Sequence, residues 1–532
     1  MKQRQPFFKT FDSFLLKNWL RLFALSLIFY SHFLFYFIWG NHDWGWVKET
    51  TPILSGLFEG RFSQFILQTI LTEGKILPIF TIFFALLFFS LSAILFIEIF
   101  KLQRKSFLYL IIGLFITTSP YIISWLYFHF ITLSCLSWPL FIIFGYLLLI
   151  KVPNSSHPKT LTSISGILFL LSLGGYPPSL NLICCMLFFI IINDLCFNKL
   201  TPKFVIKKSI PIIIAIIFSV LGLVIIQHYL TKYNLQHPTY NTAQLNINTI
   251  PQKLYSTILI SLKQFIITTS FISYFFKYLT LCTTILSIIT LYINSPKTII
   301  HYTLLTLSII GVLISSVLTV FIAQNTYYVI SQPRIEFFGI FYIYIFSILV
   351  LQKSNNAFLK NLSYVAIILL ILYNTNTLSY AAKIWNIGFK SENLLADRII
   401  TSIEKHKNFD LNKKYTFVQG GTLDFRSRFY LPKKSEKLDS YTLTAPYIPW
   451  HLPSKAYKFY YPKDFFGNDF DIFWSYVNPL QIKITNDLYQ YLDNQSKPWP
   501  KNNSIFIDNN TIILTLTQDG KQKGKQWIRN IY

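Results

Sequence analysis

The stretch WLRLFALSLIFYSHFLFYFIWG (Trp19–Gly40), followed at once by NHDWGWVKE (Asn41–Glu49), decides how this chain is read. The apolar run is long enough to cross a hydrocarbon core of about 30 Å. It exceeds the length of a signal-peptide core, and no small-residue cleavage site follows it, so an uncleaved membrane anchor is expected. The polar stretch behind it begins a loop, 41–75, that holds Asp43, Glu49, Glu59 and Glu73, half of the eight carboxylates in residues 1–390. Such a concentration of acid beside a span, in a chain otherwise poor in acid, marks a candidate site of chemistry.

Working outward, ten further apolar runs follow, roughly 76–100, 107–125, 131–150, 161–175, 178–196, 209–230, 278–293, 298–322, 336–352 and 360–382. The expected fold class is therefore a polytopic α-helical membrane protein with about eleven transmembrane helices. The formal charge of +25 would suit a nucleic-acid binder, but 27 of the 47 basic residues lie in residues 1–390, between or beside spans. They read as topology signals, and no nucleic-acid partner is expected. Lys-dense loops such as Lys101–Lys105 and Lys199–Lys208 belong in the cytoplasm with the N-terminus, which turns 41–75, 231–277, 323–335 and everything after about 385 outward. No internal repeat and no buried mid-span charge is expected. All five cysteines lie in apolar stretches, which argues against a disulfide framework.

Two outward segments carry helical periodicity. In 61–73, Phe62, Phe65, Ile66 and Ile70 oppose Ser63, Gln64 and Gln68; in 253–275, Leu254, Ile258, Leu262, Phe265 and Ile266 oppose Lys253, Lys263 and Gln264. Both predict helices lying in the interface plane. After residue 390 the composition shifts, with 14 of the 22 acidic residues and many turn formers. Residues 391–532 read as a separate C-terminal soluble α/β domain, with a helix capped by Ser391, strands at Tyr415–Val418, Ser504–Asp508 and Thr511–Leu516, and a Gly420–Gly421 turn. That glycine pair is too short a motif for a phosphate loop.

Asp43 is the leading candidate for a general base. It lies three residues past the first span, so its height at the bilayer edge is set by a rigid element, and an ionised carboxylate there can take an acceptor's proton. Glu49 is a second acid. His42 can orient Asp43, and Trp44 can stack on a sugar or serve in the interfacial aromatic belt. Arg61 and Arg334 are the outward arginines, suited to a phosphate because their planar fork binds two oxygens at once; a local Arg334–Glu336 contact is the plainer alternative. Lys48 and Lys75 are further cations, and Tyr176 sits in a Gly-Gly-Tyr-Pro-Pro hairpin. Glu98 and Asp194 are expected to pair with Lys101 and Lys199. No His, Cys or carboxylate spacing indicates a metal, and no cofactor is expected.

Taken in order, the acidic loop with Gly60-Arg61, the Ser119-Pro120-Tyr121 turn, the Gly175-Tyr176 turn, the Pro333-Arg334 step and Asn386 followed by Asp397-Arg398 make the chain resemble membrane glycosyltransferases of the GT-C class. It is most similar to the glucosyltransferase type II family that modifies bacterial O-antigen. The resemblance implies transfer of a hexose, glucose by preference, from a polyprenyl-phosphate-linked donor to a lipid-linked or surface glycan. It implies an inverting reaction at the outer face of the bacterial inner membrane, with a first-loop acid, Asp43 here, as base and the C-terminal domain in the periplasm. The family often shows two adjacent acids, whereas this chain has His42-Asp43. A lipid-linked oligosaccharide flippase, or an O-antigen polymerase or ligase, is the competing reading; the first would call for internal symmetry and buried mid-span charges.

Overall fold

The computed structural model describes residues 12–35, 55–75, 77–126, 129–235, 250–267, 272–319, 333–421, 466–471, 482 and 484–531. They fall into two compact units divided after Ala382. The first unit is helical. In chain order its elements are α1 (Ser13–Phe29), α2 (Ser31–Phe35), α3 (Ser55–Phe58), α4 (Phe62–Thr72), α5 (Pro78–Ile99), α6 (Ser106–Thr117), α7 (Pro120–Leu126) and α8 (His129–Lys151). There follow α9 (Pro158–Gly175), α10 (Ser179–Cys196), α11 (Pro202–Lys232), α12 (Ile250–Lys263), α13 (Tyr274–Asn294), α14 (Ile299–Ser315), α15 (Pro333–Phe338), α16 (Ile340–Lys353) and α17 (Ala357–Glu404), whose part from Lys383 onward belongs to the second unit. Among the described residues, seven helices are long and apolar enough to cross a membrane, and two more, Ile299–Ser315 and Ile340–Lys353, are apolar but shorter. The protein is a polytopic, mostly helical membrane protein.

Which helices lie inside the bundle follows from their burial. Every residue of α16 up to Gln352 is buried, as are most of α10, whereas α11 buries only Val205, Ser209, Ile212, Ala215 and Ser219. The rest of α11 presents Ile206, Ile210, Ile213, Ile217 and Leu221 outward, a surface fit for lipid tails and unfit for water. Helices are joined by hydrogen bonds between small polar groups: Tyr30 donates to the Thr117 carbonyl at 2.8 Å and Ser165 to the Gly145 carbonyl at 2.9 Å. Such bonds replace the hydrophobic driving force that is missing between helices in lipid.

Several expected elements differ in detail. The expected span 107–125 is broken into α6 and α7 at Ser119-Pro120, because proline cannot donate to the helical ladder. The expected span 336–352 likewise divides at Gly339, and its helical segment begins earlier, at Pro333. The expected helix 253–275 ends at Lys263, and the chain turns before α13 begins at Tyr274; the carbonyl of Gln264 accepts instead from the Lys277 ammonium, at 2.6 Å. In α4 the buried residues include Ser63, Gln64, Gln68 and Thr72 while Ile66 and Ile70 are exposed, and α12 buries Thr257 and Ser261 while exposing Leu254, Ile258 and Leu262. Both turn their polar faces to the protein and their apolar faces out, the arrangement a lipid boundary demands.

At the opposite end of the bundle the acids choose other partners than their nearest lysines. Glu98 pairs with Arg104 at 2.7 Å and accepts from the Tyr109 hydroxyl, while Asp194 pairs with Lys208 at 2.5 Å and accepts from Asn198. Lys101 and Lys199, the expected partners, both sit in left-handed backbone that ends a helix. Lys353 closes this end by donating to the Phe100 carbonyl and to Asn193.

The second unit contains a four-stranded sheet, β1 (Tyr415–Gly420), β2 (Phe466–Asp471), β3 (Ile505–Asp508) and β4 (Thr511–Thr515), ordered β2-β1-β4-β3. β1 runs parallel to β2 and β4, and β3–β4 is an antiparallel hairpin turning at Asn509, whose φ is +50°. Phe417, Ile512 and Leu514 pack on one face with Ile399, Ile400 and Ile403; Val418 and Ile513 pack on the other with Leu488, Leu492 and Ile528 of the closing helix α19 (Gln518–Ile531). The short α18 (Asn486–Gln490) precedes the hairpin. No helix starts at Ser391. α17 runs on through it, since Lys383–Lys390 contains no proline and a single glycine, too little to end a helix. The Gly420 carbonyl accepts from Leu516 and Thr517, and the Gly421 carbonyl from Gln419, so the pair serves a close chain crossing.

Among the described glycines of the first unit, Gly339 makes the closest approach to another stretch of backbone. A Cβ there would lie 2.0 Å from the Ser316 carbonyl oxygen, part of a helix end that cannot swing aside, whereas one at Gly222 would meet only the tip of Leu170 at 3.0 Å. Gly339→Ala is expected to cost about 1–3 kcal/mol. Gly222→Ala is expected to be neutral or stabilising by up to about 1 kcal/mol. Thermal unfolding of the two purified variants in one detergent checks the contrast.

Candidate active site

Two short helices, each opened by proline, set the geometry. Proline at the first helical position brings its φ pre-set and loses only a donor that would be unpaired anyway. α7 thus starts abruptly after Ser119 and places Tyr121 and Trp125 one turn apart; α15 starts at Pro333 and places Arg334 and Phe338 one turn apart. The two helices pack together, with Trp125 meeting Phe337 and Phe338 at 6.4 Å between ring centroids.

Around this contact a cationic aromatic wall is assembled. Trp125 stands edge-on to Tyr176 at 5.0 Å, and Phe338 lies 5.7 Å from Tyr176. The Arg334 guanidinium sits 5.9 Å above the Trp125 ring and that of Arg61 sits 5.3 Å above Tyr176. Cation–π contacts of this kind are worth about 0.5–2 kcal/mol, more as water is excluded. Tyr176 is held by its hairpin: its N–H donates to the Ser172 carbonyl, and Gly175 lies so close to the Trp138 ring that a Cβ would fall 1.8 Å from it. Arg61 caps α4, its own N–H donating to the Gly56 carbonyl at 2.6 Å, and its side chain pairs with Glu59 at 2.7 Å. Burial raises the Tyr176 phenol above its ordinary range, while Arg334 and Arg61 pull it the other way. The indole N–H of the fully buried Trp125 has no acceptor among the described residues.

Behind the wall lies a buried ion pair. Lys277 and Glu336 meet at 2.8 Å with side chains 0% and 3% exposed, and Lys277 also contacts the Tyr121 hydroxyl at 3.3 Å. Glu336 therefore turns to a residue far along the chain and not to its neighbour Arg334.

Of the residues singled out from the sequence, Arg61, Tyr176 and Arg334 come together here, and the Ser119-Pro120-Tyr121 turn supplies the helix beneath them. His42, Asp43, Trp44, Lys48 and Glu49 lie outside the described residues. Lys75 instead engages Glu73 at 2.6 Å, a bond that holds the Glu73 carboxyl below the usual carboxylate range. Asp397 and Arg398 are exposed on the part of α17 that belongs to the second unit. No group of three His, Cys, Asp or Glu side chains that could hold a metal occurs among the described residues. The site also contains Trp125 and Lys277, which are not among the sequence candidates. Lys277 was findable as a lone cation at the head of an apolar span, matched by the lone acid Glu336 at the head of another; Trp125 carried no signal beyond its place one turn after Tyr121.

A family model described as Glucosyl transferase GtrII matches residues 50–352, more than half of the chain and all of the wall just described. No curated protein and no solved structure matches.

Tyr176 acts through its ring, so Tyr176→Phe is expected to stay within about 1 kcal/mol of the parent. Tyr176→Ala is expected to lose about 3–5 kcal/mol as Trp125, Phe338 and Arg61 lose a common neighbour. Thermal unfolding of both variants tests this; equal losses would show that the phenol oxygen carries the contact.

Proposed function

The chain belongs to the Glucosyl transferase GtrII family, and on that premise we propose that it moves a glucose from a polyprenyl-phosphate donor to a lipid-linked or surface glycan such as O-antigen. The observation that carries this reading is the convergence of Arg61 and Arg334, from opposite ends of the matched region, on the adjoining rings of Tyr176 and Trp125. A phosphoryl group needs cations and N–H donors arranged in a place poor in water. Two guanidiniums and the Trp125 indole N–H form such a set, and they stand at helix ends, where a lipid phosphate at the bilayer edge would reach them. A GT-C-type arrangement, eleven spans and an outward face at the periplasmic side of the bacterial inner membrane complete the reading, with 391–532 as a periplasmic domain on the acceptor side.

In this reaction Asp43 takes the proton of the acceptor hydroxyl. The freed oxygen attacks the anomeric carbon, the bond from that carbon to the phosphate oxygen breaks, and polyprenyl phosphate leaves with inversion. Arg61 and Arg334 receive the charge that develops on the leaving phosphate. Glu49 assists the base, His42 orients it, Trp44 stacks on the hexose, and Lys48 adds to the cationic field near the phosphate. No metal or cofactor is assigned to any of these steps.

Asp43→Asn is expected to lower kcat by a factor of about 10²–10⁴ while the protein still inserts. Arg334→Ala is expected to raise the KM for donor and, because the leaving phosphate gains charge in the transition state, to lower kcat as well. Transfer of labelled glucose from polyprenyl phosphoglucose to acceptor glycan by the purified protein measures both, and full activity of Asp43→Asn removes that residue as base. Gene deletion gives an independent check: loss of one hexose branch from the surface glycan supports a transferase, whereas loss of the whole polymer indicates a flippase or polymerase.

A further inference from the structure

Lys277 is the most deeply buried cation among the described residues of the first unit, and nothing in the proposed chemistry uses it. Its ammonium reaches three segments that are remote from one another in the chain: Glu336 of α15 at 2.8 Å, the Gln264 carbonyl just beyond α12 at 2.6 Å, and the Tyr121 hydroxyl of α7 at 3.3 Å. Phe276, beside it, packs on Tyr121 at 6.0 Å, and Tyr121 packs on Phe341 at 5.5 Å. The ammonium thus sits at the junction of the segments that bracket the wall.

The register of the two short helices gives this junction a consequence. α7 offers Tyr121 to Lys277 and, one turn later, Trp125 to the wall. α15 offers Glu336 to Lys277 and, two residues earlier on another face, Arg334 to the wall. Each helix is therefore held at one point by the lysine and delivers its wall residue from another. With only six residues, α15 has little intrinsic stability of its own. Its orientation depends on what it is tied to.

We infer that Lys277 and Glu336 are positioning residues for donor binding: their ion pair, with Tyr121, fixes α7 and α15 so that Arg334 lies over Trp125 at the spacing a lipid phosphate requires. Neither touches the donor. This inference rests on the reading of Arg334 as a phosphate-binding residue.

The test uses the full chain in detergent or nanodiscs. Lys277→Met combined with Glu336→Leu removes both charges together, so no lone ion is left buried. Donor KM is expected to rise about tenfold or more, since displacements of about 1 Å at such a site can cost on the order of a hundredfold, with kcat less affected. Adding Arg334→Ala to that pair is expected to cost less than Arg334→Ala costs alone, the mark of coupled residues. Hydrogen exchange is expected to rise in 333–338 and 120–126 while α8 and α10 stay protected. The pair Lys277→Gln and Glu336→Gln, neutral but still able to hydrogen-bond, is expected to recover part of the donor KM and serves if the apolar pair fails to insert. Unchanged donor KM, or exchange that rises evenly through the bundle, overturns the inference. If Arg334→Ala alone leaves donor KM unchanged, the phosphate reading fails, and the exchange pattern still decides whether the pair positions α15.

Discussion

The Lys277–Glu336 ion pair is the constraint on which the rest of the described site depends. Removing two charges from water costs several kcal/mol per ion even after relaxation, and losing one partner alone costs about 3–5 kcal/mol. A helical membrane protein tolerates such a pair only where the geometry satisfies both ions. Here a carboxylate, a backbone carbonyl and a phenol surround one ammonium. Because these groups come from α15, the end of α12 and α7, satisfying the ion and assembling this end of the bundle are the same event.

The aromatic and cationic wall follows from that assembly. Neither α7 nor α15 is long enough to be stable alone, and each begins at a proline that fixes where its first turn lies. Packing between them brings Trp125 against Phe337 and Phe338, and the hairpin at Tyr176 closes the ring contacts. Arg61 and Arg334 then find aromatic faces to lie on. A guanidinium stacked on a ring is restrained in direction and presents its N–H groups along its edge, which suits recognition of an oxyanion.

The boundary with lipid is written into the same unit. α4 and α12 face the protein with serine, threonine and glutamine and face outward with isoleucine and leucine, the reverse of a helix on a water-soluble protein. Polar groups turned inward near the wall and apolar groups turned outward describe a region approachable from the bilayer. A donor carried in the membrane, as proposed above, would need such a face.

The chain by itself determined that long apolar helices dominate, because the length and composition of each run answer directly to the thickness of a bilayer. It also pointed to Arg61, Tyr176 and Arg334, since arginine beyond a span and tyrosine beside Gly and Pro are local signals. Asp43 and its neighbours were read by the same local logic and lie outside the described residues. Tertiary structure alone decided the partners. That Glu336 answers Lys277 and not Arg334, that Glu98 takes Arg104 and Asp194 takes Lys208, and that Trp125 becomes the platform for Arg334 depend on which helix ends meet in space. Periodicity records how one helix meets its surroundings; a side chain buried between two helices chooses its partner by their packing, for which no single stretch of sequence carries the register.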